Sequence, residues 1–257
     1  MYYTFNTHAV WAIYKSEMAR AFRNIMQNII SPVISTCLYF VVFGAASGLR
    51  LLKVDDVNYS TFIVPGLVML TLVTQSITSA SFGIYFPKFT GTIYEILSAP
   101  ISPLEIVIGY VGAAASKSIM LCLIILFTSS FIVEITVSHP LIMILYLILI
   151  SVTFAMLGFI IGICAQNFEQ LQIIPLLVVT PLVFLGGSFY SIDTLPPFWR
   201  TMSLLNPVLY LTSGFRWSIM EISDVNPVSS VVVGFTLFSV CLTCIYLIFR
   251  TGFCLRR

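Results

Sequence analysis

The stretch YFPKFTGTIYEILSAPISPLEIVIG, Tyr85–Gly109, decides how the chain can fold. It is short, polar and interrupted by Pro87, Pro100 and Pro103, and long uncharged apolar runs lie on both sides of it. In so apolar a chain, such a segment belongs at a membrane surface. Within it, Thr90 to Ala99 predicts a short helix with Ile93, Ile96 and Leu97 on one face and Glu95 off that face. Ala99-Pro100 predicts its end, because the residue before a proline avoids helical angles. The segment is either an ordinary connection or a rigid handle that a soluble partner pushes.

Composition supports a bilayer setting. The chain is 59% hydrophobic and 9% charged, where a soluble domain carries about 25% charged residues. A net charge of +2 is too small to suggest nucleic acid as a partner. The spacing Cys241-x-x-Cys244 lies in an apolar run without a βαβ setting, so it reads as two small hydrophobes. The His, Cys, Asp and Glu residues show no metal-ligand spacing, and the carboxylates are scattered. The expectation is no catalytic, cofactor or metal site.

Charge-free intervals frame six spans, each near the ~20 residues that cross the hydrocarbon core. They fall near 29–49, 61–84, 106–132, 140–165, 171–189 and 228–249. All must be helical, since an open sheet would leave backbone groups unpaired in lipid. The expected fold is therefore an all-α integral membrane protein. The first apolar run starts near Ile29 with no small-residue cleavage pattern, so it is expected to stay as an anchor. Before it, Val10, Ile13, Tyr14, Met18, Phe22, Ile25 and Met26 recur at spacings of three and four, with Lys15, Glu17, Arg20 and Arg23 between them. Residues 1–28 thus hold an amphipathic helix, fit for an anionic membrane surface or for packing on a partner. Residues 29–257 form the membrane domain.

Lysine and arginine near span ends set orientation. With the N-terminus inside, Lys15, Arg20, Arg23, Lys88, Arg250, Arg256 and Arg257 face the cytoplasm, against Arg50, Lys53, Arg200 and Arg216 outside. The bias favours both termini in the cytoplasm. Lys117 is the one charge between Glu105 and Glu134. A cation there is a functional candidate by default, unless it snorkels to the headgroups or pairs within the bundle. GAAASKS, Gly112–Ser118, is not a phosphate loop, because Val111 and Ser116 replace both required glycines.

Residues 186–227 are too apolar for a free loop and too interrupted for a span. Pro175 and Pro181 can kink the fifth span, and Gly186-Gly187 ends or bends it. Pro197 and Pro207 suit the first turns of two short helices. Tyr190, Trp199 and their aromatic neighbours suit headgroup level. The pair either dips into the outer leaflet and returns, or lies on its surface.

The run TIYEILSAPISPLE, Thr92–Glu105, resembles the coupling segment of ABC-2 type transport permeases, the membrane halves of ATP-driven exporters. Gly186–Ser191, Leu195-Pro196-Pro197 and Asn206-Pro207 resemble the same family in order and spacing, so the likeness covers nearly the whole chain. It is greatest to short bacterial inner-membrane permeases akin to nodulation-factor and polysaccharide exporters. The resemblance implies a homodimer docked on a separate ABC ATP-binding subunit, which holds the ATP. It assigns coupling to Lys88, Thr92, Glu95, Ile96, Leu97 and Pro100. It assigns an outer gate to Gly186, Gly187, Tyr190, Pro196, Pro197, Trp199, Asn206, Pro207 and Arg216. It implies motion of the first, second and fifth spans against the other protomer, and leaves the cargo open among sugars, lipids and drugs. The competing expectation is a secondary transporter or channel working through Lys117; a membrane enzyme would need clustered polar catalysts in the spans.

Overall fold

The computed structural model describes residues 5–46, 53–54, 57–133 and 135–252. Helix α1, Thr7–Arg23, begins where Asn6 Oδ1 accepts the Ala9 N–H at 3.1 Å. A π-helical turn, Met26–Ile30, follows and leads into α2, Ser31–Ala46. The chain bends by 84° between α1 and Met26–Val42. Such a break frees backbone carbonyls, and Asn28 Nδ2 donates to one of them, Ala21 O, at 2.9 Å. The expected single interfacial helix over 8–28 is thus an α-helix plus part of an elbow.

A two-residue hairpin that the sequence did not announce, β1 Lys53–Val54 and β2 Val57–Asn58, leads into α3, Tyr59–Thr90. Arg50, Glu134, Arg256 and Arg257, used above to frame or orient spans, lie outside the described residues, as does the expected end of the first span at 47–49. The short helix α4, Ile93–Ser98, sits between α3 and α5, Pro103–Ser129. Then come α6, Pro140–Cys164, and a broken segment made of α7, Phe168–Ile174, a π-helical turn, Pro175–Val179, and α8, Thr180–Leu185. Pro175 opens that turn because it has no N–H to continue the helix ladder. Helices α9, Pro197–Leu204, and α10, Pro207–Met220, precede the terminal α11, Pro227–Thr251. Both prolines stand at the first helical position, as the sequence predicts.

Among the described residues, five helical segments are long and apolar enough to cross a membrane, and a sixth results if the bent first pair is one span. Among the described residues the fold is therefore all-helical apart from the hairpin, and the second to sixth expected spans have counterparts at shifted ends. The largest shift is in α3. Its 32 residues extend about 48 Å at 1.5 Å per residue, against a hydrocarbon core of about 30 Å. The helix that was expected to end near Ile84 instead continues to Thr90, longer than the hydrocarbon core alone requires.

Helix α3 is the centre of the bundle, packed mainly on α6 and α5. Between α3 and α6 the backbones touch. A Cβ at Gly158 would lie 2.3 Å from Ile77 O, and one at Gly162 would lie 2.4 Å from Ser81 O. This is the G-x-x-x-G device of membrane helices, in which small residues allow close van der Waals packing. Between α3 and α5, Ser76 Oγ and Ser118 Oγ share a hydrogen bond of 2.8 Å.

Gly158→Ala or Gly162→Ala should lower stability by ~1–3 kcal/mol, the cost of overpacking a fixed contact. Thermal unfolding of the purified protein in detergent checks this. The exposed loop glycine Gly91, with open space around its missing Cβ, should lose less on the same change.

Candidate functional site

The Thr90 end of α3 bears the expected handle. Gly91, at φ +81°, breaks the helix, and α4 starts after Thr92. Ala99 ends it in an extended conformation, as the following Pro100 requires. Ile93 is buried and Ile96 half-buried against the core, while Thr92, Tyr94, Glu95 and Ser98 are exposed. Pro100 is exposed too, and the side chain of Leu97 lies outside the described residues. The handle therefore presents a polar face with one aromatic ring and rests on an apolar one.

Lys88 has a different place from the one expected of a docking residue. Its Nζ donates to Ile163 O at 2.5 Å and Ala165 O at 3.1 Å. It thereby satisfies carbonyls at the end of α6 and sits at the negative pole of that helix. Nearby, Tyr85 Oη donates to Gln166 O at 3.1 Å, and Phe168 lies edge-on to Tyr85 and Phe89. These contacts fasten the base of the handle to α6 and α7.

The far side of the handle is fastened through Glu105. Ser102 and Glu105 form a reciprocal capping box at the start of α5. The second carboxylate oxygen of Glu105 accepts the Asn6 N–H at 2.7 Å. One buried carboxylate thus ties the start of α1 to the exit of α4. The S-P-L-E spacing is the local pattern of such a cap, which the sequence reading did not single out, and the tie to Asn6 has no local signal.

At the opposite, Tyr59 end of α3, Gly186 caps α8, and Gly187 at φ +70° turns the chain back. Asn206 is buried between α8 and α10. Its Nδ2 donates to Leu182 O at 2.6 Å and its Oδ1 accepts the Val208 N–H at 3.0 Å, capping α10 behind Pro207. Arg216 is not the solvated loop cation assumed in counting charges; its side chain is 1% exposed. Its Nη1 pairs with Asp224 Oδ2 at 2.6 Å, its Nη2 donates to Gly187 O, and its guanidinium covers the Phe62 ring of α3 at 4.0 Å. Asp224 Oδ1 accepts from Ser191 Oγ at 2.7 Å and Ile192 N at 3.2 Å. Ser213 Oγ accepts the Asp224 N–H at 3.0 Å.

Gly186, Gly187, Asn206, Pro207 and Arg216 are thus parts of one packed assembly of α8, α10 and the turns around them. Tyr190 is half-buried beside that assembly. Pro196, Pro197 and Trp199 are exposed on or before α9. The two short helices, expected to behave as a pair, differ: α10 is largely buried and α9 largely exposed.

Asp224 was the missed residue of the Arg216 assembly. Its signal was an acid eight residues beyond an arginine across a short turn, which sequence alone does not tell from a solvated loop. Lys117, the other candidate, pairs within the bundle: its Nζ donates to Asn28 Oδ1 at the elbow at 3.0 Å.

Helix α3 joins the two ends. Phe62 lies under Arg216, Tyr59 Oη donates to Phe189 O at 3.1 Å, and a Cβ at Gly66 would sit 1.7 Å from Ser188 O. Asp224→Ala would strand a buried guanidinium and should cost ~3–5 kcal/mol. Replacing both partners, Arg216→Met with Asp224→Leu, should recover much of that loss. Protease resistance of the segment around Arg216 and thermal unfolding provide the readout.

Comparison with known proteins agrees with this anatomy. The model of the ABC-2 type transporter family matches residues 8–220. The chain is 36% identical over 227 residues to the inner membrane transport permease YadH of Escherichia coli, covering 87% of this chain and 89% of that one. It is 26% identical over 214 residues to nodulation protein J of Rhizobium leguminosarum bv. viciae, covering 80% and 78%. The chain belongs to the ABC-2 type transporter family, as a multi-pass membrane subunit of an ABC transporter.

Proposed function

We propose that the chain is the permease half of an exporter that moves an amphipathic lipid, glycan or drug-like molecule across the bacterial inner membrane. Two copies pair, and each docks a separate ATP-binding subunit on α4. Hydrolysis belongs to that subunit; this chain contributes the path and the lever. Both termini then lie in the cytoplasm with α4, and α9 and α10 face the outer leaflet.

The observation that carries the reading is the single unbroken α3. One end holds the exposed face of α4, and the other touches the Arg216 assembly through Phe62, Tyr59 and Gly66. A push on Thr92, Tyr94 or Glu95 reaches the outer segment through packed helix rather than through loops. Lys88 and Glu105 make the handle rigid against its neighbours, so displacement is passed on instead of being absorbed. ATP binding drives transport by favouring one packing of the same helices over another. Pairing is supported by the exposed apolar faces of α2, at Ile34, Leu38 and Val42, and of the broken fifth segment, at Leu176 and Leu177.

Co-reconstitution with the ATP-binding subunit tests the reading. Glu95→Ala and Tyr94→Ala should lower transport-coupled ATPase activity by about tenfold, the loss of ~1.4 kcal/mol of coupling, while insertion and thermal stability stay unchanged. Transport that continues without the ATP-binding subunit would refute the proposal.

A further inference from the structure

The elbow between α1 and α2 leaves a polar cavity of about 390 Å³ against α3 and α5. Two cations, Arg20 and Lys117, line it with one carboxylate, Glu17. Gln75 of α3 adds an amide, and Phe82 and Phe86 form an apolar wall. Ser79 also lines the cavity, and its Oγ is buried with no hydrogen-bond partner among the described residues. A buried hydroxyl left in that state costs free energy unless something else completes it.

The depth of the cavity follows from taking Tyr59, the first residue of α3, as the edge of the hydrocarbon core: a core of about 30 Å then ends some 20 residues down the helix, close to Ser79. Lys117 and Gln75 lie just above that level, near the Ser76–Ser118 hydrogen bond. Glu17 and Arg20 lie just below it, where a Cβ on Gly83 would meet both side chains. The cavity therefore straddles the boundary between acyl chains and headgroups.

We propose that this cavity is a binding site for the phosphate headgroup of an anionic lipid, held between Arg20 and Lys117 with its acyl chains directed into the bilayer, away from Phe82 and Phe86. The leaflet is the cytoplasmic one, which rests on the membrane orientation proposed above. Glu17 is the group that opposes an anion. It is already ion-paired with Arg20, and burial, which outweighs Arg20, pushes its carboxyl up to about 7. At neutral pH the lining therefore keeps a net positive charge. Asn28 holds the Lys117 ammonium at the cavity, and an ammonium has three donors, so a phosphate oxygen can bind beside the amide.

Native mass spectrometry of the purified full chain, after exchange into phosphatidylglycerol or phosphatidylcholine, tests the site without any ATPase. The wild type should retain phosphatidylglycerol about tenfold better, the effect of one charge-assisted contact. Lys117→Gln and Arg20→Gln should each bring the two lipids near parity, and Lys117→Arg should restore the preference. Ser79→Leu fills the cavity without removing a charge and should also abolish it. Equal retention by the wild type, or a preference that survives both Lys117→Gln and Ser79→Leu, would overturn the assignment. Displacement of the lipid by glycerol 3-phosphate at equal concentration would show that a soluble phosphate is the ligand, and would overturn the lipid as its source. None of these outcomes bears on ATP-driven transport, which is decided by the reconstitution assay.

Discussion

The contact on which the rest of the structure depends is backbone against backbone, where Gly158 and Gly162 of α6 meet Ile77 and Ser81 of α3. In lipid, no hydrophobic force drives one apolar helix onto another, so association relies on close packing and interhelical hydrogen bonds. Two glycines one turn apart supply that closeness. They fix α3 in rotation and register, and the other helices assemble around it. A helix so fixed, and longer than the hydrocarbon core is thick, delivers its two ends to defined places on opposite sides.

The polar chemistry of the chain is concentrated at those ends. At the Tyr59 end, the Arg216–Asp224 pair is enclosed, and each partner makes further hydrogen bonds to the surrounding turns. A buried pair of this kind adds little net stability, but breaking half of it is costly. Its effect is to hold the turns at Gly187 and Ser191 and the α10 residue Ser213 in one arrangement over Phe62. At the Thr90 end, Lys88 and Glu105 hold the base and exit of α4 and leave its polar face uncovered. In the proposed mechanism, the enclosed end responds and the uncovered end is driven.

Much of this was legible in the sequence, for stated reasons. Charge-free intervals placed the spans, since lipid excludes charge over a known length. Pro100, Pro197 and Pro207 marked helix boundaries because proline limits the angles of its neighbours. The family was legible in the order of its motifs. What escaped was tertiary. The inner end of α3 looked like loop because Pro87 and Lys88 break the apolar run, yet the helix continues through both. Arg216 looked like a surface cation because its partner arrives from beyond a turn. Glu17 and Arg20 looked like part of one polar face of α1, and the 84° bend after it brings Asn28 of the elbow to Lys117 on the same cavity. Likewise G-F-I-I-G in α6 is a common pattern in apolar helices, and nothing local says which helix it will receive.

The central claim is that force applied at α4 reaches the Arg216 assembly, and the α9 helix beside it, through α3. The direct measurement is an electron paramagnetic resonance distance between spin labels at Trp199→Cys on α9 and Val228→Cys at the start of α11, in the assembled transporter with and without trapped ATP. The account predicts a distance change on ATP trapping that disappears when Glu95→Ala is added. An ATP-dependent change that persists in full with Glu95→Ala, or none at all in an actively transporting complex, would contradict it.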